Sequence, residues 1–310
     1  MGEKTFPAER FEEHRPRLRA VAYRMLGSVN EADDAVQETW LRLSRTDADS
    51  IENLAAWLTT VAGRVCLNML RSRVQRREDP LEVYVPDPVI SHESGIDPEQ
   101  EMLMADSVGL AMMVVLEMLT PAERLAFVLH DMFAVPFDDI APLLERTPAA
   151  TRQLASRARR RVQGQAPAPD PDLGRQREAV NAFFAAAHDG DFDALVAVLD
   201  PDVVLRADGG TARSGLSVVL QGARTVAGQA VTFGQLTPYI RPALINGAAG
   251  VVVADGAWRW SVMAFTVVDG KVVAIDVLVD PDRLALLDLT VLDRAPLDRA
   301  RAQRQGQGDA

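Results

Sequence analysis

The chain has 310 residues, 48% of them hydrophobic and 25% charged, with a formal net charge of −11. That composition fits a globular protein with a real core, and the length suggests about two domains. One cysteine, Cys66, and four scattered histidines (His14, His92, His130, His188) exclude an intramolecular disulfide framework, a multi-cysteine zinc site and a His-x-x-x-His metal pair.

Residues 8 to 77 read as helix. Leu18, Val21, Ala22, Met25 and Leu26 recur at helical spacing, and Gly27-Ser28 ends the segment. Asn30 is a candidate cap for the next helix, with Glu31, Asp33 and Asp34 in its first turn. Thr46 to Asn53 is polar and loop-like, and a helix follows from Ala55 to about Arg77. Residues 78 to 105 form a linker with Pro80, Pro86, Pro88 and Pro98. Helices resume over 106–164, with starts at Thr120-Pro121, Pro136 to Asp138 and Thr147-Pro148. The apolar run Ser107 to Leu119 breaks at Glu117, too short for a membrane span. No signal-type segment opens the sequence, so a cytoplasmic protein without a membrane partner is expected.

A second, Pro-rich linker covers 165–174. Helices are expected at Arg175–Asp189 and Phe192–Leu199, then strands at Val203–Arg206, Gly250–Ala254, Trp258–Val267 and Lys271–Leu278. Val268-Asp269-Gly270 joins the last two as a hairpin. Helices followed by strands indicate an α+β domain over 175–293, and 294–310 is a polar tail.

The charge is unevenly placed. Arg64 to Arg77 holds five arginines and no acid, and Arg146 to Arg161 holds six and no acid. Glu78 to Asp106, between them, holds nine acids and no base. Local patches, rather than net charge, decide what docks where. The stretch Phe137 to Val162 reads as a helix-turn-helix: Asp138–Leu144, a turn with Thr147 as cap, then Ala149–Val162. Small residues on the early turns of the second helix and arginines along its exposed side suit a DNA major groove. A solvated basic face on a structural helix is the alternative.

Three motifs occur in one order. Glu31 to Arg42 resembles region 2.2 of extracytoplasmic-function sigma factors, and Trp57 to Arg77 resembles their regions 2.3 and 2.4. Leu119 to Phe127, Phe137 to Ala141 and Ser156 to Arg159 resemble region 4. The remainder resembles a subgroup with a C-terminal SnoaL-like domain, a curved sheet with helices forming a cone. Tyr84-Val85-Pro86-Asp87-Pro88-Val89 resembles its aromatic-Leu-Pro-Glu-Pro linker motif. Asp208-Gly209-Gly210-Thr211-Ala212 resembles its Asp-Gly-Gly-Gly-Lys motif without the last Gly and the Lys. Asp280-Pro281-Asp282-Arg283-Leu284 resembles its Asn-Pro-Asp-Lys-Leu motif.

The resemblance implies a multidomain chain: an all-α region 2 bundle over 6–77, an all-α region 4 over 106–164, and the α+β cone. It implies an alternative sigma factor, not an enzyme, with core RNA polymerase and promoter DNA as partners. No catalytic residue, metal or cofactor is expected. Asp33, Asp34, Gln37, Glu38, Trp40 and Arg42 would face the polymerase, since residues three and four apart share a helix face. Arg64, Asn68, Arg71, Arg73, Arg76 and Arg77 would contact the proximal promoter element. Arg152, Gln153, Ser156 and Arg157 would read the distal element, with Arg159, Arg160 and Arg161 on the backbone. Thr151 is left off the DNA because relatives often keep an apolar residue there. His130 and Cys66 read as structural.

The cone is expected to regulate in cis, through Tyr84, Pro86, Asp87 and Pro88 touching Asp208, Gly209, Gly210, Asp280, Pro281 and Asp282. Without the motif lysine, Arg213 is the expected partner of Asp87. This arrangement needs no separate anti-sigma factor. A small ligand of the cone is a further expected partner, with Phe183, Phe184, His188, Asp208, Trp258, Trp260 and Met263 as pocket groups. His188 with Asp208 is an acid–base pair to weigh, although His188 sits at a helix end. Two other readings stay open: a stand-alone regulator using region 4 with the cone as sensor, and a SnoaL-like enzyme fused to a DNA-binding domain.

Overall fold

A computed structural model describes residues 7–46, 51–76, 83–92, 109–165, 169–255 and 258–292. Three helices come first: α1 (Pro7–Leu26), α2 (Val29–Leu43) and α3 (Leu54–Arg76). Gly27, at φ +68, ends α1 in a left-handed turn. Ser28, not Asn30, caps α2, its hydroxyl accepting from Glu31 N. The linker contributes a two-residue strand, β1 (Ile90–Ser91).

Four helices follow: α4 (Leu110–Glu117), α5 (Pro121–Phe127), α6 (Phe137–Ile140) and α7 (Pro148–Gln165). Thr120 and Glu123 close a capping box on α5. A π-helical turn over Val128–Met132 extends α5. A 3-10 turn over Ala141–Leu144 extends α6, and Glu145 at φ 54 makes the turn into α7. That pair is the expected helix-turn-helix.

The third body has helices α8 (Leu173–Asp189), α9 (Phe192–Val198), α10 (Ala223–Thr232) and α11 (Pro281–Ala285). Its strands are β2 (Leu199–Asp208), β3 (Val218–Gln221), β4 (Ile240–Ile245), β5 (Ala248–Asp255), β6 (Trp258–Val268) and β7 (Lys271–Leu278). The sheet order is β1-β4-β5-β6-β7-β2-β3, so the linker strand closes one edge. Among the described strands only β2 and β7 pair in parallel. The β6–β7 turn has Asp269 and Gly270 both at positive φ, as Asp-Gly hairpins require. Strands β1, β3 and β4 and helices α10 and α11 were not expected from the sequence.

Alternation along the strands explains the architecture. Val251, Val253, Phe265 and Ile275 join a core under α8, α9 and α10. Val252, Val262, Ala264 and Leu278 point to the other face. There they share one core with Leu26 and Cys66 of the first body, Val85 and Ile90 of the linker, and Leu116 and Leu129 of the second. The sheet is thus buried on both faces, which explains why β5 and β7 read as nearly continuous apolar runs. A smaller core of Phe11, Val36, Leu43, Leu58 and Ala62 lies within the first three helices.

The first two bodies also pack directly on each other. Gly63 of α3 lets α5 approach: a Cβ there would meet Leu129 Cδ1 at 3.0 Å and Leu125 Cδ1 at 3.3 Å. Arg24 and Arg124 are buried in this contact, and Arg124 Nε donates to Arg24 O at 3.0 Å. Arg124 also pairs with Glu117 at 2.7 Å.

Candidate nucleic-acid and interdomain sites

On α2, Asp34 and Gln37 are exposed on one side. Leu41 completes that side, 40% exposed, an apolar residue that sequence reasoning did not single out. Asp33 is turned to α1 and pairs with Arg19 at 2.6 Å. Glu38 and Arg42 pair with each other at 3.0 Å. Trp40 is half-buried, its ring 5.2 Å from that of Phe11.

On α3, Arg64, Asn68 and Arg71 are exposed and lie four and three residues apart, so they form one stripe. Arg73 departs from it. Its guanidinium donates to Leu26 O at 3.1 Å and pairs with Glu31, tying α3 to the α1–α2 corner. That geometry removes Arg73 from the expected DNA set. The side chain of Arg76 and all of Arg77 lie outside the described residues, as do residues 47–50 of the preceding loop. Cys66 is fully buried, and burial pushes its thiol up to about 12, so it stays a neutral core group.

On α7, Arg152, Gln153, Ser156, Arg157, Arg159 and Arg160 are all exposed. Thr151 is fully buried and its hydroxyl donates to Thr147 O at 3.1 Å. Two acids, buried Glu123 and exposed Asp131, orient part of the basic face. Glu123 holds Arg161 at 2.9 Å and Arg157 at 4.0 Å, and Asp131 accepts from Arg159 Nε at 2.8 Å. Burial alone would raise the Glu123 carboxyl. The Thr120 hydrogen bonds, with Arg161 and Arg157, overcome that and hold it below its usual range. Arg152 lies over the Phe137 ring at 5.3 Å. His130 stacks on the same ring at 3.7 Å while bonding Val135 O, which is the structural role expected of it.

The linker motif is gripped by the cone. Asp208 is fully buried, and its Oδ2 accepts from Val85 N at 2.9 Å and from Arg283 at 2.8 Å. Arg283 also donates to Asp87 Oδ1 at 2.7 Å and to Val85 O at 2.5 Å, with its guanidinium 4.8 Å from the Tyr84 ring. Burial pushes the Tyr84 phenol up to about 12, so the ring meets Arg283 uncharged. Arg283 is therefore the cation that the linker acid meets. Arg213, the expected substitute, instead donates to Val279 O at 3.2 Å. Pro86 and Pro88 are buried beside these groups.

The two glycines of the Asp208 motif are sterically required. A Cβ on Gly209 would sit 2.1 Å from Arg213 O. Gly210 has φ +58, and a Cβ there would sit 2.0 Å from Asp280 Oδ2. Asp280 caps α11 by accepting from Asp282 N at 3.0 Å, with Pro281 in the first turn. That cap aims Arg283 at the linker.

A second grip sits at the β4–β5 turn. Asn246, at φ 49, accepts from Val89 N at 2.9 Å through Oδ1, and its own N–H donates to Val89 O at 2.8 Å. Its Nδ2 donates to Tyr23 Oη at 3.0 Å, and Tyr23 Oη donates to Asp87 O at 2.7 Å. Asp87 N donates to Gly27 O at 2.8 Å, at the end of α1. One cluster thus joins the first body, the linker and the cone. Sequence reasoning missed Tyr23, Asn246 and Arg283. Asn-Gly at 246–247 is a turn signal, but nothing in the chain order shows its side chain facing a segment 157 residues away.

The cone encloses a cavity of about 450 Å³ between its sheet and α8, α10 and the turns beside them. Phe183, Phe184, Trp260 and Met263 line it as expected. His188 does not; it is exposed. Asp208 does not either, being engaged with the linker, so the acid–base pair is not assembled. The Trp258 side chain lies outside the described residues. Among the described residues no cluster of His, Cys, Asp and Glu could hold a metal, and no helix is long and apolar enough to cross a membrane.

A helical bundle with a basic stripe, a helix-turn-helix and a linker between them define a sigma-70-type transcription factor. The chain matches Sigma-70 region 2 over residues 10–76 and Sigma-70 region 4 over residues 110–162. It is 40% identical to the ECF RNA polymerase sigma factor SigJ of Mycobacterium tuberculosis, over 96% of this chain and 97% of that protein. It is 35% identical to the probable sigma factor SigI of the same species, over 87% of this chain and 92% of that one. The crystal structure of M. tuberculosis SigJ superposes with a TM-score of 0.74 at 36% identity, covering 91% of this chain and all of that chain. The chain belongs to the extracytoplasmic-function sigma factors. Proteins of this family bind core RNA polymerase and promoter DNA and direct promoter-specific initiation; they are not enzymes.

Proposed function

We propose that the cone clamps the two sigma domains together by holding their linker, and that promoter-specific initiation by this chain requires the linker to leave the cone. The observation that carries this reading is the Arg283 cluster, in which one cation meets Asp87 of the linker and the buried Asp208 of the cone. The 33 residue steps from Arg76 to Gly109 reach on the order of 100 Å when extended. Docking on the cone takes that reach away, while α3 packs on α5 through Gly63. The stripes Arg64–Asn68–Arg71 and Arg152–Gln153–Ser156–Arg157 are exposed while the linker is docked. The clamp therefore sets the spacing of two DNA-contacting faces without covering them, and Asp34, Gln37 and Leu41 are left free to meet polymerase. A clamp carried in cis also makes a separate anti-sigma protein unnecessary.

Run-off transcription with core polymerase tests this on the full chain. Arg283→Ala leaves the buried Asp208 without its cation, which costs about 3 kcal/mol of docking energy or roughly 100-fold in the closed state. Asn246→Gly keeps the left-handed turn but leaves Val89 N–H unpaired, at about 1–3 kcal/mol. Both variants are expected to raise promoter-specific transcript. Unchanged transcript would refute the clamp, and reduced transcript would make the cone a required scaffold instead.

A further inference from the structure

The cone cavity has a composition that selects a ligand. Among the described residues that line it, Arg213 alone is charged, none is a carboxylate, and Gln229 and Ser261 are the other polar side chains. The remaining wall is apolar, from Phe183 and Leu205 to Trp260 and Val277. Two wall residues, Leu216 and Phe233, are 46% and 49% exposed, which gives the cavity an apolar lip open to solvent. Large exposed apolar groups at a cavity mouth are costly unless something uses the entrance. A volume of about 450 Å³ lies within the range of small-molecule sites. It accommodates roughly 15 non-hydrogen atoms at the ~30 Å³ each takes in a liquid.

Arg213, the one cation among the described wall residues, is also the link to the linker. The Arg213 guanidinium donates to Val279 O at 3.2 Å, and Val279 is itself a wall residue. Val279 N and Asp280 N both donate to Asp208 O, at 2.8 and 3.1 Å. Asp208 is the carboxylate that holds Val85 N and Arg283. Cavity wall and linker grip are therefore adjacent in one hydrogen-bonded strap.

We propose that the cavity is an effector site for a monocarboxylate with an apolar body, a medium-chain fatty acid or an aromatic acid of similar size. Its carboxylate takes the Arg213 guanidinium away from Val279 O, because a charge-assisted pair outcompetes a bond to a neutral carbonyl. The Val279–Asp280 strap then shifts and the Asp208–Arg283 grip on the linker loosens. The site deepens the clamp reading above, to which it adds the releasing signal.

Calorimetry on the full chain tests binding with two probes, decanoate and 1-decanol, which share the apolar body and differ in the head. Saturable one-to-one binding of decanoate is expected. Arg213→Gln should weaken decanoate at least tenfold and decanol less than twofold. Ala230→Trp, on the cavity wall, should abolish both, and Gln229→Trp, at an exposed position of α10, repeats that test where folding is least at risk. No saturable binding of either probe, or binding that survives both tryptophans, overturns the site. An equal loss for acid and alcohol in Arg213→Gln overturns the carboxylate. Hydrogen exchange reads the coupling: saturating decanoate should speed exchange at Val85, Asp87 and Val89 at least tenfold, and unchanged or slower exchange overturns it. These assays need no polymerase, so a failed clamp leaves the binding result standing, and absent binding leaves the clamp standing.

Discussion

Two arginines nine residues apart on one helix show how differently the same side chain is used. Arg64 is exposed beside Asn68 and Arg71, whereas Arg73 is turned back to Leu26 O and Glu31. Their substitutions should therefore separate. In polymerase holoenzyme, Arg64→Ala or Arg71→Ala should weaken promoter binding and lower the slope of log K against log salt by about 1, because one fewer phosphate is neutralised. Arg73→Ala should leave the slope unchanged and cost about 1 kcal/mol of stability in thermal unfolding, since its pair is only partly shielded from water. Slopes unchanged from wild type in Arg64→Ala and Arg71→Ala would mean that the exposed stripe does not touch DNA, and a lowered slope in Arg73→Ala would mean that Arg73 does. The basic block was legible from residues 64 to 77 alone. Its division was not, because helical periodicity gives the face of a residue but not which face a neighbouring helix will cover.

At the scale of elements, the helix-turn-helix was readable because each start carries its own chemistry: Thr120-Pro121, Pro136 and Thr147-Pro148. The hairpin of β6 and β7 was readable for the same reason. Strands β1, β3 and β4 were not. β1 has two residues, β3 four, and β4 contains Pro242, which argues against a strand unless it lies near an edge. β4 is such a case: β1 covers only Leu244 and Ile245, so the missing Pro242 donor interrupts no pairing with it. Arg283 stands among acids in its own motif, and only the fold brings it to Asp87. The α5 cap adds a pH effect. Glu123 has a lowered carboxyl in the folded chain, so its contribution is present above its usual value of 4.5 and is lost as pH falls through the folded value. Thermal unfolding of wild type against Glu123→Gln should differ by about 1–2 kcal/mol at neutral pH. The difference should shrink below pH 4.5. A constant difference across that range would show that the carboxylate charge is not what stabilises the cap.

At the scale of the molecule, three bodies behave as one because a single core runs through them. Removing the cone outright would expose that core, so point changes at the grip report on opening more cleanly than truncation does. Arg283→Ala should enlarge the molecule in small-angle scattering by several ångströms over wild type, whose radius of gyration should lie near the ~20 Å of a compact chain of this length. An unchanged radius would mean that the direct packing of α3 on α5 keeps the domains together without the linker.

The linker strand has one more consequence. β1 occupies the outer edge of the sheet, beside Leu244 and Ile245. When it departs, β4 is left with unpaired backbone donors and acceptors next to apolar side chains, a template for strand addition from another molecule. Opening thus trades an intramolecular pairing for an adhesive rim. The opened form should be self-limiting: at high concentration two copies compete with polymerase for the same released state, so output per molecule should fall as the protein accumulates.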